Sequence, residues 1–412
     1  MPFSQLNLCT PLLKTLQENG YENPTPIQEK VIPLILSHHD IMARAQTGSG
    51  KTASFVLPIL QLWSQDIKEG KAKIKVLILT PTRELTLQVA KSFDTFSTLL
   101  EKKPKVVSVI GGEHIGEQLL SIQKGCDIIV ATSGRLLDII SKKQINLSHL
   151  DFFILDEADK MLDLGFAEEL DLILKELPSK RQNLLFSATY PPKMLDITKK
   201  ITQTPTEVVI EQEEPTVVNI TQRAIEVNKS DRSSLLRHLI NIHQWTMVLV
   251  FMANKRAADN IASKFRKYGI QADSFHGDLD QSERSYTLDE FKAKKIHVLF
   301  ATDIAARGLH IDDIQCVINF DLPRASEDYI HRIGRTARAG KKGVAISFIN
   351  HENKEHFKLI QKRCQVKLDL EQIEGYELTG TALKKEKGKE AVKGKRKSKK
   401  DKLREQALKD NK

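Results

Sequence analysis

The residues with the most chemical content lie at 45–52, AQTGSGKT, between a short apolar run (41–43) and a helix-compatible segment (53–62). Gly48 and Gly50 let the backbone curl until its N–H groups point inward at a phosphate chain. Lys51 can set an ammonium on β and γ phosphates, and the Thr52 hydroxyl can ligate Mg²⁺. The helix that follows turns its positive N-terminal end toward the same anion. Ala45, Gln46, Thr47 and Ser49 complete the cradle. The strict pattern begins with Gly where this chain has Ala45, and the same letters could form an ordinary glycine-rich turn before a helix.

A second cluster weighs against the plain turn. The apolar run 152–155 ends in Asp156-Glu157-Ala158-Asp159. A carboxylate at the C-terminal end of a strand, in a sheet that carries a phosphate loop, stands where Mg²⁺ is held. Asp156 is the candidate for that ion, through water. Glu157 is the candidate for orienting and deprotonating an attacking water.

Elements of the right kind surround these clusters. Apolar runs of three to five residues at 41–43, 76–80, 106–110, 128–131, 152–155 and 184–186 alternate with helical stretches such as 85–100 and 117–124. Runs apolar on both faces are what buried parallel strands require, so the pattern predicts a doubly wound α/β domain over 1–209. The rhythm stops at an acidic, proline-containing linker, 210–218. A second series follows, with runs at 247–251, 272–275, 298–301, 316–319 and 344–348 and helices at 256–268 and 282–292. It has the same architecture, over 219–375, but no phosphate loop of its own. Two such units with one loop suggest a nucleotide held between domains.

Composition sets the outer bounds. A chain of 412 residues can hold two or three domains with substantial cores. No apolar run reaches membrane-spanning length, and MPFSQLNL lacks the layout of a signal peptide, so a cytoplasmic protein without a membrane partner is expected. Cys9, Cys126, Cys316 and Cys364 form no CxxC pair and read as reduced core thiols. The net charge is +10, and residues 380–412 carry 14 Lys and Arg against 5 Asp and Glu, which leaves the rest near neutral. Residues 376–412 are therefore expected to form a disordered basic tail, solubilising or tethering nucleic acid.

With these residues in place, the chain from about 3 to 348 resembles the DEAD-box family of RNA-dependent ATPases, which implies two tandem RecA-like domains, ATP and Mg²⁺ as ligands, and RNA as partner. GYENPTPIQ (20–28) is similar to the family's adenine-reading element. The Gln28 amide would pair with adenine N6 and N7, Tyr21 would pack on the base, and Phe3 lies at the family's usual distance upstream. The resemblance assigns RNA-backbone contacts to Pro81, Thr82 and Arg83 of PTREL, to Gly111 and Gly112, and to Thr132, Gly134 and Arg135 of TSGR. Ser187 and Thr189 of SAT would bond back to Asp159 and couple ATP state to RNA grip. In the second half, FMANKR (251–256), HGDLDQSER (276–284) with Gln281 and Arg284, and Thr302 of ATDIAARGLHI (301–311) resemble RNA-facing elements. HRIGRTARAG (331–340) supplies His331 to the coupling set. Its Arg335 and Arg338, three apart and sharing a face if helical, would be arginine fingers for the γ-phosphate.

Three positions depart from the family pattern. Ser133 replaces a Pro, Ala337 replaces a Gly, and His310 stands where an Asp would contact the ATP ribose. Imidazole can donate one hydrogen bond there but supplies no anion, which implies weaker ATP affinity with chemistry intact. The short basic tail resembles the bacterial RhlE subgroup, while TSGR and HRIGRTARAG lean toward SrmB. Both imply ribosome assembly or RNA decay, with a monomer meeting proteins of those processes. Two other readings stay open at this stage: a clamp that binds RNA and protein without turnover, and a DNA helicase of the same superfamily.

Overall fold

The structure is a computed structural model that describes residues 1–46, 48–65, 72–190, 192–202, 204–210, 219–306, 311, 313–337 and 341–380. The first set of apolar runs forms strands β1 (Ile41–Arg44), β2 (Val76–Thr80), β3 (Val106–Val109), β4 (Ile128–Thr132), β5 (Phe152–Leu155) and β6 (Gln182–Ser187), joined at one edge by β7 (Thr206–Val209). Their order is β3-β4-β2-β5-β6-β1-β7, and every pairing is parallel. Period-two alternation explains why the runs are apolar throughout. Along β2, Val76 and Ile78 enter one core while Leu77 and Leu79 enter the other, so both faces lie under helices.

The second sheet comprises β8 (Ile220–Glu226), β9 (Val248–Met252), β10 (Ala272–Phe275), β11 (Val298–Thr302), β12 (Cys316–Asn319), β13 (Gly343–Ile349) and β14 (Leu370–Glu371). Its order is β10-β11-β9-β12-β13-β8-β14, again all parallel. Numbered within each domain, the two sheets share one topology, 3-4-2-5-6-1-7. The chain is thus two tandem RecA-like units, and the C-terminal ends of their strands carry the loops singled out above.

The structure departs from the sequence reading at the edges. Three strands are added, β7, β8 and β14, of which β7 and β14 are edge strands. TEVV, an edge strand, needs only one apolar face, and polar residues interrupt ITQRAIE, an interior strand, so neither has the solid hydrophobic signature of its neighbours. Ile210 still donates to Arg44 O at 2.9 Å, and the rest of the acidic linker, 211–218, lies outside the described residues. Residues 376–379, expected in the tail, are docked instead. Tyr376 packs against His238 at 5.3 Å, and Asn228 exchanges hydrogen bonds with Thr379. Residues 381–412 lie outside the described residues. All four cysteines are free thiols, with Cys126 and Cys316 buried, and burial pushes Cys126 up to about 12. Among the described residues no helix is long and apolar enough to cross a membrane.

Candidate active site and nucleic-acid face

The phosphate-type loop leaves β1 and runs into the helix Lys51–Gln65. Its start is pinned to the sheet by Ala45 N–H donating to Ser187 O at 3.1 Å. Gly50 has φ +93°, and a Cβ there would sit 2.5 Å from Gln28 Nε2 and 2.8 Å from Thr25 Oγ1, so no other residue fits. Gln28 belongs to the helix Pro26–Leu36, whose capping box it closes: its Oε1 accepts from Thr25 N–H at 2.9 Å. Its Nε2 donates to Gly50 O at 3.2 Å, tying this amide to the loop. One N–H and one lone pair of the amide remain for a ligand. Ser49 Oγ donates to Gln46 O at 2.7 Å, and Gly48 has open space above it. Tyr21 is exposed and meets Phe96 edge-on at 5.4 Å, whereas Phe3 is buried in the first-domain core. Thr47 lies outside the described residues.

Lys51 is buried, and its Nζ donates to Ala45 O at 2.6 Å and Gln46 O at 2.8 Å. Burial lowers its pKa, against the pull of Asp156 and Glu157. Asp156 follows β5, wholly buried, and its carboxyl is pushed up to about 7 by burial first and by Glu157 second. Glu157 behaves in the opposite way. Burial alone would raise it, yet Lys160, with Lys51 and Arg335 behind it, holds it below the usual glutamate range. Its backbone is left-handed (φ 49°, ψ 48°), a conformation that a non-glycine residue adopts at a cost of order 1 kcal/mol or more. The coupling residues meet closely: Asp159 Oδ2 accepts from Thr189 Oγ1 at 3.0 Å, Thr189 N–H at 2.9 Å and Ala188 N–H at 3.2 Å. Ser187 Oγ accepts from Asp159 N–H at 3.2 Å and donates to Thr189 O at 2.7 Å.

Across the cleft stands the segment carrying His331, Arg332 and Arg335. The helix Ser326–Ile333 ends with Gly334 as its cap, so Arg335 lies beyond the helix in a turn. Arg335 is therefore not helical as the spacing expected, and Ala337 takes φ +55°. Arg338 and His310 lie outside the described residues. Arg335 is buried, and its charge reaches Glu157 of the other domain. His331 is half exposed, with Nδ1 3.9 Å from Asp328.

The expected RNA-facing loops line up at the same ends of the strands. Thr82 caps the helix Arg83–Phe96, accepting from Leu85 N–H at 3.3 Å, and Pro81 precedes it. The Arg83 guanidinium lies against Gly111 and Gly112, and a Cβ on Gly112 (φ +84°) would overlap its Nη1, so the glycine pair is the seat for this side chain. Burial and the neighbouring Arg284 lower the pKa of Arg83. Thr132 precedes the helix Ser133–Ser141, which carries Gly134 and Arg135, and Arg135 Nη2 donates to Glu113 O at 3.0 Å. Thr302 ends β11, and Gln281 opens the helix Gln281–Lys292 with its Oε1 unpartnered.

Arg284 is placed differently from the expected RNA contact. Its Nε and Nη2 grip Glu84 Oε1 of the first domain at 2.7 and 2.6 Å, Nη1 donates to His276 O at 2.9 Å, and the guanidinium lies over Phe275. Each of its three nitrogens makes a contact, and this side chain clasps the two domains together.

The donor set suits a nucleotide and Mg²⁺. Two buried carboxylates stand side by side, and Glu157 Oε2 has no hydrogen-bond partner, which leaves oxygen donors for a ligand or ion. Among the described residues no three His, Cys, Asp or Glu gather as ligands. Mg²⁺ keeps most of its waters and takes one or two protein groups beside phosphate oxygens.

Comparison with known proteins agrees with this geometry. Residues 25–197 match the family described as DEAD/DEAH box helicase, and residues 231–340 match the helicase conserved C-terminal domain. The Bacillus subtilis DEAD-box ATP-dependent RNA helicase CshA is 40% identical over 367 residues, covering 89% of this chain and 73% of that protein. This chain belongs to the DEAD-box family of ATP-dependent RNA helicases. It is an ATP hydrolase of two RecA-like domains, and the relatives found carry the CshA name, so the RhlE- or SrmB-like subgroup is not supported.

Solved DEAD-box structures share the two-domain fold. The S. cerevisiae Dbp5 structure bound to RNA and ADP-BeF3 superposes with a TM-score of 0.79 at 30% identity, covering 90% of this chain and 95% of that one. A point variant of Dbp5 bound to Nup159, a Gle1 variant, IP6 and ADP reaches 0.61 at 29% identity, covering 89% and 95%. Across both domains, the likeness to the RNA-bound form is the greater of the two.

Three features of the helicase site escaped the sequence reading. Lys160, one residue past DEAD, forms a buried ion pair with Glu157. Asp303 takes both Nε and Nη2 of Arg332, at 2.6 and 2.7 Å, and so fixes the segment that carries Arg335. Glu84 is the third. An acid beside each motif was visible in the letters, but its partner lies up to 200 residues away.

Proposed function

We propose that this DEAD-box helicase remodels short RNA duplexes by closing its two domains on ATP and RNA together, in ribosome assembly or RNA turnover in the cytoplasm. The reading rests on one observation above all: Lys160, ion-paired to Glu157 in the first domain, lines one narrow cleft with Arg335 of the second. In this scheme Gln28 reads the adenine edge and reports it to the loop through Gly50 O, while Tyr21 covers the base. Lys51 leaves its two backbone carbonyls for the β and γ phosphates, and Glu157 Oε2 aligns the attacking water and takes its proton. When bound, Mg²⁺ neutralises phosphate charge, held by Thr52 and, through water, Asp156.

Closure completes the site, because Arg335, with Arg338, adds positive charge where the transition state spreads negative charge. RNA gripped by Arg83, Arg135 and Thr302 favours the closed arrangement, and Asp159 with Ser187 and Thr189 links that grip to the DEAD segment. The chain acts as a monomer, and its basic tail adds sequence-blind affinity for RNA. ATP turnover measured with and without RNA tests this, wild type against Glu157→Gln. RNA-stimulated turnover lost in the variant is the expected result. RNA binding without turnover in the wild type would leave a passive clamp, and stimulation by DNA alone would leave a DNA helicase.

A further inference from the structure

We infer that Lys160 is a positioning residue for hydrolysis, which anchors one oxygen of Glu157 so that the other faces the reaction. The inference rests on Glu157 being the group that handles the attacking water. Lys160 Nζ lies 2.7 Å from Glu157 Oε1, and both side chains are more than nine-tenths buried. Glu157 Oε2 is buried with no hydrogen-bond partner, so the two oxygens are inequivalent: one is held and one is available. The backbone reinforces the arrangement. Glu157 sits in a left-handed conformation at the start of the helix Ala158–Asp163, and Lys160 N–H donates to both Glu157 O and Asp159 Oδ1 at 3.0 Å.

Lys160 and Asp163 of the first domain also line the narrow cleft whose far side carries Asp303, Arg332 and Arg335. Asp303 holds Arg332 through two hydrogen bonds, so the far wall of that cleft is rigid. A carboxylate with one oxygen held by a short buried contact keeps a fixed orientation, with the other oxygen unpartnered. A geometric error of about 1 Å in such a group costs up to about 10²-fold in rate.

The test uses the full chain with saturating RNA and compares single-turnover ATP hydrolysis in wild type, Lys160→Met, Lys160→Arg, Glu157→Gln and the Lys160→Met/Glu157→Gln double variant. Lys160→Met is expected to lower the hydrolysis rate about 10- to 100-fold with the ATP concentration dependence unchanged, and Lys160→Arg to recover most of the loss. On the Glu157→Gln background Lys160→Met should cost nothing further, since the group it positions is gone. Equal losses on both backgrounds, or a loss confined to ATP affinity, would overturn the inference. RNA binding with a non-hydrolysable ATP analogue, measured beside the rates, should be unchanged in Lys160→Met, and a parallel loss there would mark a folding role and overturn it as well. A wild type without RNA-stimulated turnover would instead remove the helicase reading on which it rests.

Discussion

At matching points of its two domains the chain places a cation and a carboxylate, and the two pairs do different things. In the first domain Lys51 opens the helix after β1, and Asp156 follows β5 with its N–H on Leu79 O of β2. In the second, Arg232 opens the helix after β8, and Asp321 follows β12 with its N–H on Phe251 O, the matching position of β9. There the pair closes on itself. Arg232 Nη1 donates to Asp321 Oδ1 at 2.8 Å and Phe320 O at 2.6 Å, and its guanidinium lies 4.4 Å from the centroid of the Phe320 ring. Asp321 Oδ2 accepts from Ala253 N–H at 2.8 Å, which steadies the loop of FMANKR.

The loops before the two cations account for the difference. Gln46–Gly50 has glycines that open a cradle, whereas the shorter stretch after Val227, NKSD, has none and is covered by Glu377 and Thr379. One topology therefore yields an open glycine-rich loop in one domain and a closed, paired loop in the other. The first domain gives up internal pairing to keep a site open. The second keeps its pairing and contributes Arg335 from outside.

This contrast can be broken from either side. Lys51→Ala is expected to lower RNA-stimulated turnover about 10³-fold, with little loss of stability, because a buried cation with a depressed pKa is removed; kcat and urea unfolding read the two. Arg232→Ala should do the reverse. It leaves Asp321 without its counter-charge and costs about 3 kcal/mol of stability, seen in the unfolding midpoint, while nucleotide affinity of the surviving fold is retained.

A smaller effect concerns the clasp. Arg284→Glu, which sets two acids together at Glu84, should raise the RNA concentration for half-maximal turnover about tenfold, and adding Glu84→Arg should restore part of it. No rescue would mean that the pair does not act in closure.

The open site should also show itself in pH dependence. Asp156 has its pKa raised from the usual carboxylate range to about 7, so the folded state favours its protonated form. Stability from this group is full at acid pH and is lost as pH rises through 7. In nucleotide-free protein, Asp156→Asn should match wild type near pH 4 and exceed it increasingly up to about pH 7–8, by thermal unfolding; a gap independent of pH would contradict the burial argument. The smallest effect is at Ala337, whose φ of +55° suits glycine. Ala337→Gly should stabilise the second domain by about 0.5–1 kcal/mol.

Much of this was legible in the letters, for physical reasons. Strands buried on both faces, such as β2 and β9, must be apolar throughout, so they stood out, and loops that bind phosphate need glycines at fixed spacing. The edge strand TEVV escaped because it answers to one face only, and ITQRAIE because Thr221, Gln222 and Arg223 interrupt its apolar pattern. Contacts between distant residues escaped as well. Nothing near Arg284 announces Glu84, and nothing after DEAD marks Lys160 as the partner of Glu157. The helical placement of Arg335 failed because spacing alone does not reveal a cap at Gly334 or a left-handed Ala337.

The central claim is that hydrolysis takes place at one site, begun in the first domain and completed by the second. The most direct measurement is RNA-stimulated ATP turnover of Arg335→Ala, with ATP-analogue affinity measured on the same protein. The account predicts turnover reduced about 10³-fold with affinity within a few fold of wild type. Turnover near the wild-type rate would contradict it.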